Sequence, residues 1–369
     1  MKGGGNLIAA SSFIDSNSAG IADGGVMALF GCFVALSAGS SVSSKTSVLR
    51  GEIYLQASSL AVFGSAIDRN VATIAFDSRG CGVAAMEDSS ITMSQGASSS
   101  HNTAREGGGV FLQQSTLAVA SSSSIANNAA TNGGRVIVSF ESSMTLGDST
   151  SIMHNFAGNG GGGIWLSTSS ILTITGHTCI CSNEATSGHV GAIAAAKSKI
   201  LLLGSGDLNM SNNTAWYFGG ACSMLHASLL TDSENSSRTH QPASRSRLTV
   251  RDNMVSFGIE TDVNNGNGGG LFVSGHSTVK LGVTVVVISH NVAVQRGGGL
   301  FIEGSTYEEA TGPSTVSRCS STEKVVFWRL GLVDNRLAGD GGGHHFAAGR
   351  TDQRNRQYSG QRWRGSCAF

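Results

Sequence analysis

The sequence predicts an all-β solenoid, a single-stranded right-handed parallel β-helix, and three observations carry that prediction. A short motif recurs along almost the whole chain, its copies lie at a near-constant interval, and no window of ten or more residues has the 3.6-residue apolar period and caps of a helix. The motif is an aliphatic residue, two others and an Asn, followed by a glycine run and then an apolar or aromatic residue. Ile152 and Asn155 lead into Gly160 to Gly163 and Ile164-Trp165; Ile288 and Asn291 lead into Gly297-Gly298-Gly299-Leu300-Phe301; Leu332 and Asn335 lead into Gly341-Gly342-Gly343. The Asn half also occurs at Asn17, Asn70, Asn128, Asn183, Asn213 and Asn253. Such a unit cannot bury its own apolar face and must stack on its neighbours.

The anchors Asn102, Asn128, Asn155, Asn183 and Asn213 are 26, 27, 28 and 30 residues apart. Asn17 to Asn70 is 53 residues, two units with the middle anchor lost. Within a unit three strands are expected. In one coil they are Gly109–Gln113, Ser115–Val119 and Ser124–Asn127; in another, Gly163–Ser167, Ser170–Ile174 and Thr178–Cys181. Each is short, β-branched or apolar, and bounded by Ser, Asn or Gly. Each should pair with its counterpart one coil on, about 4.8 Å away, so that about ten coils give a rod of about 50 Å. Parallel crossovers are almost always right-handed, which sets the expected hand. The Asn column should form a ladder of amides bonded to one another and to the turn backbone. The glycines should supply positive φ and close approach of backbones at the corner.

The β-helix domain is expected over 3–343. Later anchor gaps widen to 40, 38 and 44 residues, and polar segments near 231–247 and 306–324 read as loop insertions. The only two prolines, Pro242 and Pro313, lie in these segments, where a strand ladder needs no donor. Residues 344–369 hold five Arg and one Asp and read as a basic, irregular, disordered tail. The bare glycine start and the altered character of this tail suggest a fragment of a larger protein.

The formal charge is zero and charged residues are 13%, so no global field favours nucleic acid. The apolar run 26–38 follows a glycine pair inside the chain and is too short to span a membrane; it reads as half a coil. No secretory signal opens the chain. The seven Cys are irregularly spaced; in Cys179-x-Cys181 both sulfurs should share one strand face and fill the stacked core. No cysteine or histidine group has zinc spacing, and His344-His345 reads as a surface corner pair.

Gly158-x-Gly160-x-x-Gly163 matches a dinucleotide fingerprint in letters only, since no βαβ unit surrounds it. Ser187-Gly188-His189 lacks the context of a nucleophile elbow. Glu87-Asp88 and Glu308-Glu309 are adjacent, so on a strand each pair would face opposite sides. No catalytic residue, cofactor site or metal site is therefore expected. Of the sequons at Asn209, Asn212 and Asn235, the first two fall on the ladder corner. Asn235, in a polar loop, is the glycosylation candidate.

The ordered pairing of aliphatic-x-x-Asn with a glycine run and Ile, Leu or Val resembles the repeats of the chlamydial polymorphic outer-membrane proteins, on a pectin-lyase-like right-handed solenoid. The resemblance covers about residues 3–343. The family's Phe is aliphatic here, and Gly-Gly-Ala appears only at Gly219-Gly220-Ala221. It implies a surface or extracellular adhesion rod without enzymatic activity. Expected partners are glycans or cell-surface proteins, met by Ser, Thr and Asn on the side faces. The alternative on the same scaffold is a polysaccharide lyase or glycoside hydrolase, which needs carboxylates and a basic group from neighbouring coils in one groove.

Overall fold

A computed structural model describes residues 1–19, 25–47, 52–72, 80–232, 246–256, 266–281, 284–309, 314–317 and 323–328. All described elements are strands, and every pairing between strands is parallel, each strand bonding its counterpart one coil before and one coil after. The chain is a parallel β-solenoid. Among the described residues it has four sheets rather than three: three of eleven strands and a narrow one of nine, whose strands are two residues long. In the coil that starts at Val110 the first sheet takes Val110–Gln113, the second Thr116–Val119 and the third Ser124–Ala126. The fourth takes Ala129–Ala130, directly after the ladder Asn128. Sequence alone misses this fourth strand because two residues carry no period.

Alternation decides what is inside. Val110 and Leu112, Leu117 and Val119, and Ile125 are at most 2% exposed and belong to one core that runs the length of the rod. Each such side chain contributes about 2 kcal/mol. The first sheet is apolar on both faces. Its outward Tyr54, Phe111 and Ile137 are also buried, the last two against the loops that follow the fourth strand. Corner glycines allow this cover: a Cβ on Gly107 (φ 62°) would meet Phe111 Cβ at 3.0 Å.

The Asn ladder is continuous from Asn70 to Asn291. Each Nδ2 donates to the next Asn Oδ1 at 2.9–3.2 Å. It also donates to the carbonyl of the motif's third-sheet residue in the coil before, as from Asn183 to Ile152. The residue before each ladder Asn is left-handed, among them His101, Asn127, His154 and Ser182, and this turns the corner. The anchor missing between Asn17 and Asn70 is Lys45, whose N–H donates to Asn70 Oδ1 at 3.3 Å. Glu52 stands where Gly25 and Gly82 stand in adjacent coils and accepts the Gly25 N–H at 3.0 Å. Burial pushes the Lys45 ammonium pKa down and the Glu52 carboxyl pKa up.

Arg135 occupies the same glycine column, between Gly109 and Gly163, and is fully buried. Its Nε and Nη1 donate to the carbonyls of Asn128 and Ala130, while Nη2 has no partner among the described residues. Both carbonyls also accept a backbone N–H, from Phe156 and Gly158. Removing the arginine therefore strands no acceptor. Arg135→Gly is expected to raise stability by about 1 kcal/mol at pH 7, since a buried ion is a poor stabiliser. Burial pushes the guanidinium pKa down from its ordinary value to about 9. Below pH 9 both folded and unfolded chains hold the proton and the folded state bears the whole penalty. Between those values only the unfolded chain holds it, so wild-type stability rises with pH and the gain from the variant shrinks. Urea midpoints at pH 7 and pH 10 check this.

Of the expected insertions, the first falls between Leu229–Asp232 of the second sheet and Arg247–Arg251 of the third. Within the second, Thr306–Glu309 and Ser314–Ser317 continue the second and third sheets in register, so the ladders run through part of that segment. The sequon Asn235, Pro242, Pro313, His344-His345 and the tail 344–369 lie outside the described residues.

Candidate recognition face

The second and third sheets present their outer faces side by side. On the second sheet the outward positions of successive coils are Ser90 and Thr92, Thr116 and Ala118, Ser143 and Thr145, then Ile171 and Thr173. On the third they are Ser98 and Ser100, Ser124 and Ala126, then Ser151 and Met153. Ser90, Thr92 and Thr116 are exposed and the others half-buried. Alternation produces this surface: every second member of each strand is taken by the core, so the members between them, mostly small and polar, face outward. No strand of these two sheets carries a charged side chain between residues 90 and 174. The face can offer and accept hydrogen bonds with little charge to desolvate.

Asp148 is exposed at the corner between the two sheets, and the paired charges lie beyond the face. Asp68 accepts from Ser100 Oγ at 2.8 Å and lies 2.8 Å from Arg69 Nη1 and 3.0 Å from His101 Nδ1. His177 Nδ1 is 3.0 Å from Asp207. Gln56 Nε2 donates to Glu87 at 2.6 Å. Each of these clusters holds one carboxylate, whereas glycoside hydrolysis uses two flanking the bond. Among the described residues no group of three or more His, Cys, Asp or Glu is placed to hold a metal ion.

The cysteine pair is placed differently from its expected position. In the strand His177–Cys181 the buried positions facing the core are Thr178 and Ile180, so Cys179 and Cys181 share the outer face. They form a disulfide there instead of filling the core. Ile180, as the motif aliphatic, already holds the inward position.

A second feature lies outside the first sheet. His189, Phe218, Leu225, Asn267, Phe272, Ser274 and Glu303 line a groove of about 250 Å³. His189 stacks on Phe218 at 5.4 Å, and Phe272 on Phe301 at 5.2 Å. Burial lowers the His189 pKa. Ser187-Gly188-His189 thus contributes an aromatic wall. The run Trp216-Tyr217-Phe218 was the available sequence signal for this groove. Gly160, Gly162 and Gly163 line corners, and their near contacts are backbone and side chains of adjacent coils. No helix among the described residues is long and apolar enough to cross a membrane.

By its architecture the chain belongs to the class of parallel β-solenoids. Comparison with family profiles, curated proteins and solved structures gave no match.

Proposed function

We propose that this chain is a non-enzymatic recognition rod that binds neutral glycans at a surface or outside the cell. On this reading it winds right-handed like the polymorphic outer-membrane repeats it resembles. The observation that carries the reading is the uncharged hydroxyl face of the second and third sheets between residues 90 and 174. A glycan there finds regularly spaced donors and acceptors on a rigid support. Mobile charged side chains would have to be ordered and desolvated first. Its repeat spacing of about 4.8 Å per coil suits an extended chain with a repeating unit.

The test is binding to immobilised neutral polysaccharides before and after Thr116→Glu and Thr145→Glu are introduced together. Binding is expected to fall at least tenfold, while stability changes by no more than about 0.5 kcal/mol per site because both positions lie on the surface. Unchanged binding would remove the face from the proposal. Release of unsaturated or reducing sugar ends by the wild-type chain would replace it with a lyase or hydrolase.

A further inference from the structure

We propose that Cys179 and Cys181 form a reversible dithiol–disulfide centre that exchanges two electrons with dithiol substrates, independently of the glycan reading. The bridge joins residues two apart in one strand. That strand is already held in register on both sides, by Thr150–Met153 and by Asp207–Ser211. A cross-link over so short a loop removes little chain entropy, so it adds little to the fold. Opening it leaves both ladders in place.

The surroundings suit exchange. Both sulfurs are on the outer face, Cys179 half-buried and Cys181 8% exposed. Ser211 Oγ lies 3.3 Å from Cys181 Sγ and donates to it. His177, two residues before Cys179, shares that face and is paired with Asp207 at 3.0 Å. A hydroxyl donor favours thiolate over thiol. Among the described residues the free cysteines Cys32, Cys81 and Cys222 are buried, and burial pushes the Cys222 thiol up to about 12, so these do not compete.

The step balances as follows. A substrate thiolate attacks Cys179 Sγ, the more accessible sulfur; the substrate–Cys179 S–S bond forms and the Cys179–Cys181 bond breaks. Cys181 leaves as a thiolate that accepts the Ser211 hydrogen bond. The second substrate thiolate then attacks the substrate sulfur of the mixed disulfide, closing the substrate disulfide and expelling the Cys179 thiolate. The substrate loses two electrons and the protein, after taking up two protons, holds two thiols. An oxidised low-molecular-weight disulfide reverses the sequence.

The full chain is equilibrated in buffers of graded reduced and oxidised glutathione, alkylated, and the peptide carrying residues 177–181 weighed. A second assay follows oxidation of dithiothreitol by oxidised glutathione with the protein as catalyst. The pair is expected to pass from disulfide to dithiol within the glutathione range, with unchanged circular dichroism. Wild type should exceed Cys179→Ser and Cys181→Ser at least tenfold in rate. Ser211→Ala, a change at a positioning residue, should slow exchange several-fold and move its pH profile upward. A pair that stays fully oxidised or fully reduced across the range, or serine variants as active as wild type, would overturn the proposal.

Discussion

Replacing Asn183 with alanine is expected to destabilise the solenoid by about 4 kcal/mol, the largest effect of any single side-chain truncation here. Asn183 is fully buried and uses its whole amide. Its Nδ2 donates to the Ile152 carbonyl at 3.0 Å and to Asn213 Oδ1 at 3.0 Å. Its Oδ1 accepts the Asn155 backbone N–H at 3.2 Å and Asn155 Nδ2 at 2.9 Å. Alanine strands two donors on Asn155 in a buried corner, and each stranded group costs about 1–3 kcal/mol. Stacked repeats contact only their neighbours, so the damage should be local. Hydrogen exchange should rise in the coils around Asn155 and Asn213 and stay unchanged near Asn70. Uniform loss of protection, or a shift below about 1 kcal/mol, would show that the ladder is not the main corner restraint.

Gly191→Ala ranks second, at about 3 kcal/mol. A Cβ there would run into the Gly220 carbonyl oxygen and would lie 2.9 Å from Asn213 Cβ and Thr214 N. Gly162, Gly220 and Gly269 repeat the same approach to the next coil, so the clash cannot be relieved by moving one side chain. Gly204→Ala is the control. Gly204 has φ 62° with nothing within 4 Å of its Cβ position. That variant should lose only the left-handed penalty, about 1 kcal/mol. Equal urea midpoints for the two variants would mean that coil-to-coil contact does not select glycine in this column.

Much of this was legible in the chain, and the unread parts have identifiable causes. The expected strands Ser115–Val119 and Ser124–Asn127 match Thr116–Val119 and Ser124–Ala126 within a residue, because period-two alternation is a local property. The outward placement of Cys179 and Cys181 was also readable, since a motif aliphatic at 180 forces its neighbours outward. A second ladder went unread. Ser58, Ser89, Ser115, Ser142, Ser198, Ser228 and Ser277 are buried at the corner between the first and second sheets. Their hydroxyls donate to carbonyls two or three residues back, and several accept the N–H of the coil before, as Ser142 does from Ser115 at 3.1 Å. Serine is common enough elsewhere in this chain that its recurrence before a strand does not stand out. The groove around His189 and Phe218 was signalled only by the run Trp216-Tyr217-Phe218, because His189, Phe272 and Glu303 come from three separate coils.

The sequence by itself determined the all-β solenoid, its repeat length, its Asn anchor and the alternation that separates core from face. These follow from local period and from residues whose chemistry permits few placements, a buried amide and a side-chain-free corner. Only the tertiary structure decided the four-sheet cross-section and the filling of the lost anchor by Lys45 and of a glycine position by Arg135. It also decided which hydroxyls are buried and which make an open face. Those outcomes depend on register between coils about 28 residues apart, and register is set by stacking of whole coils, which no single window of sequence contains.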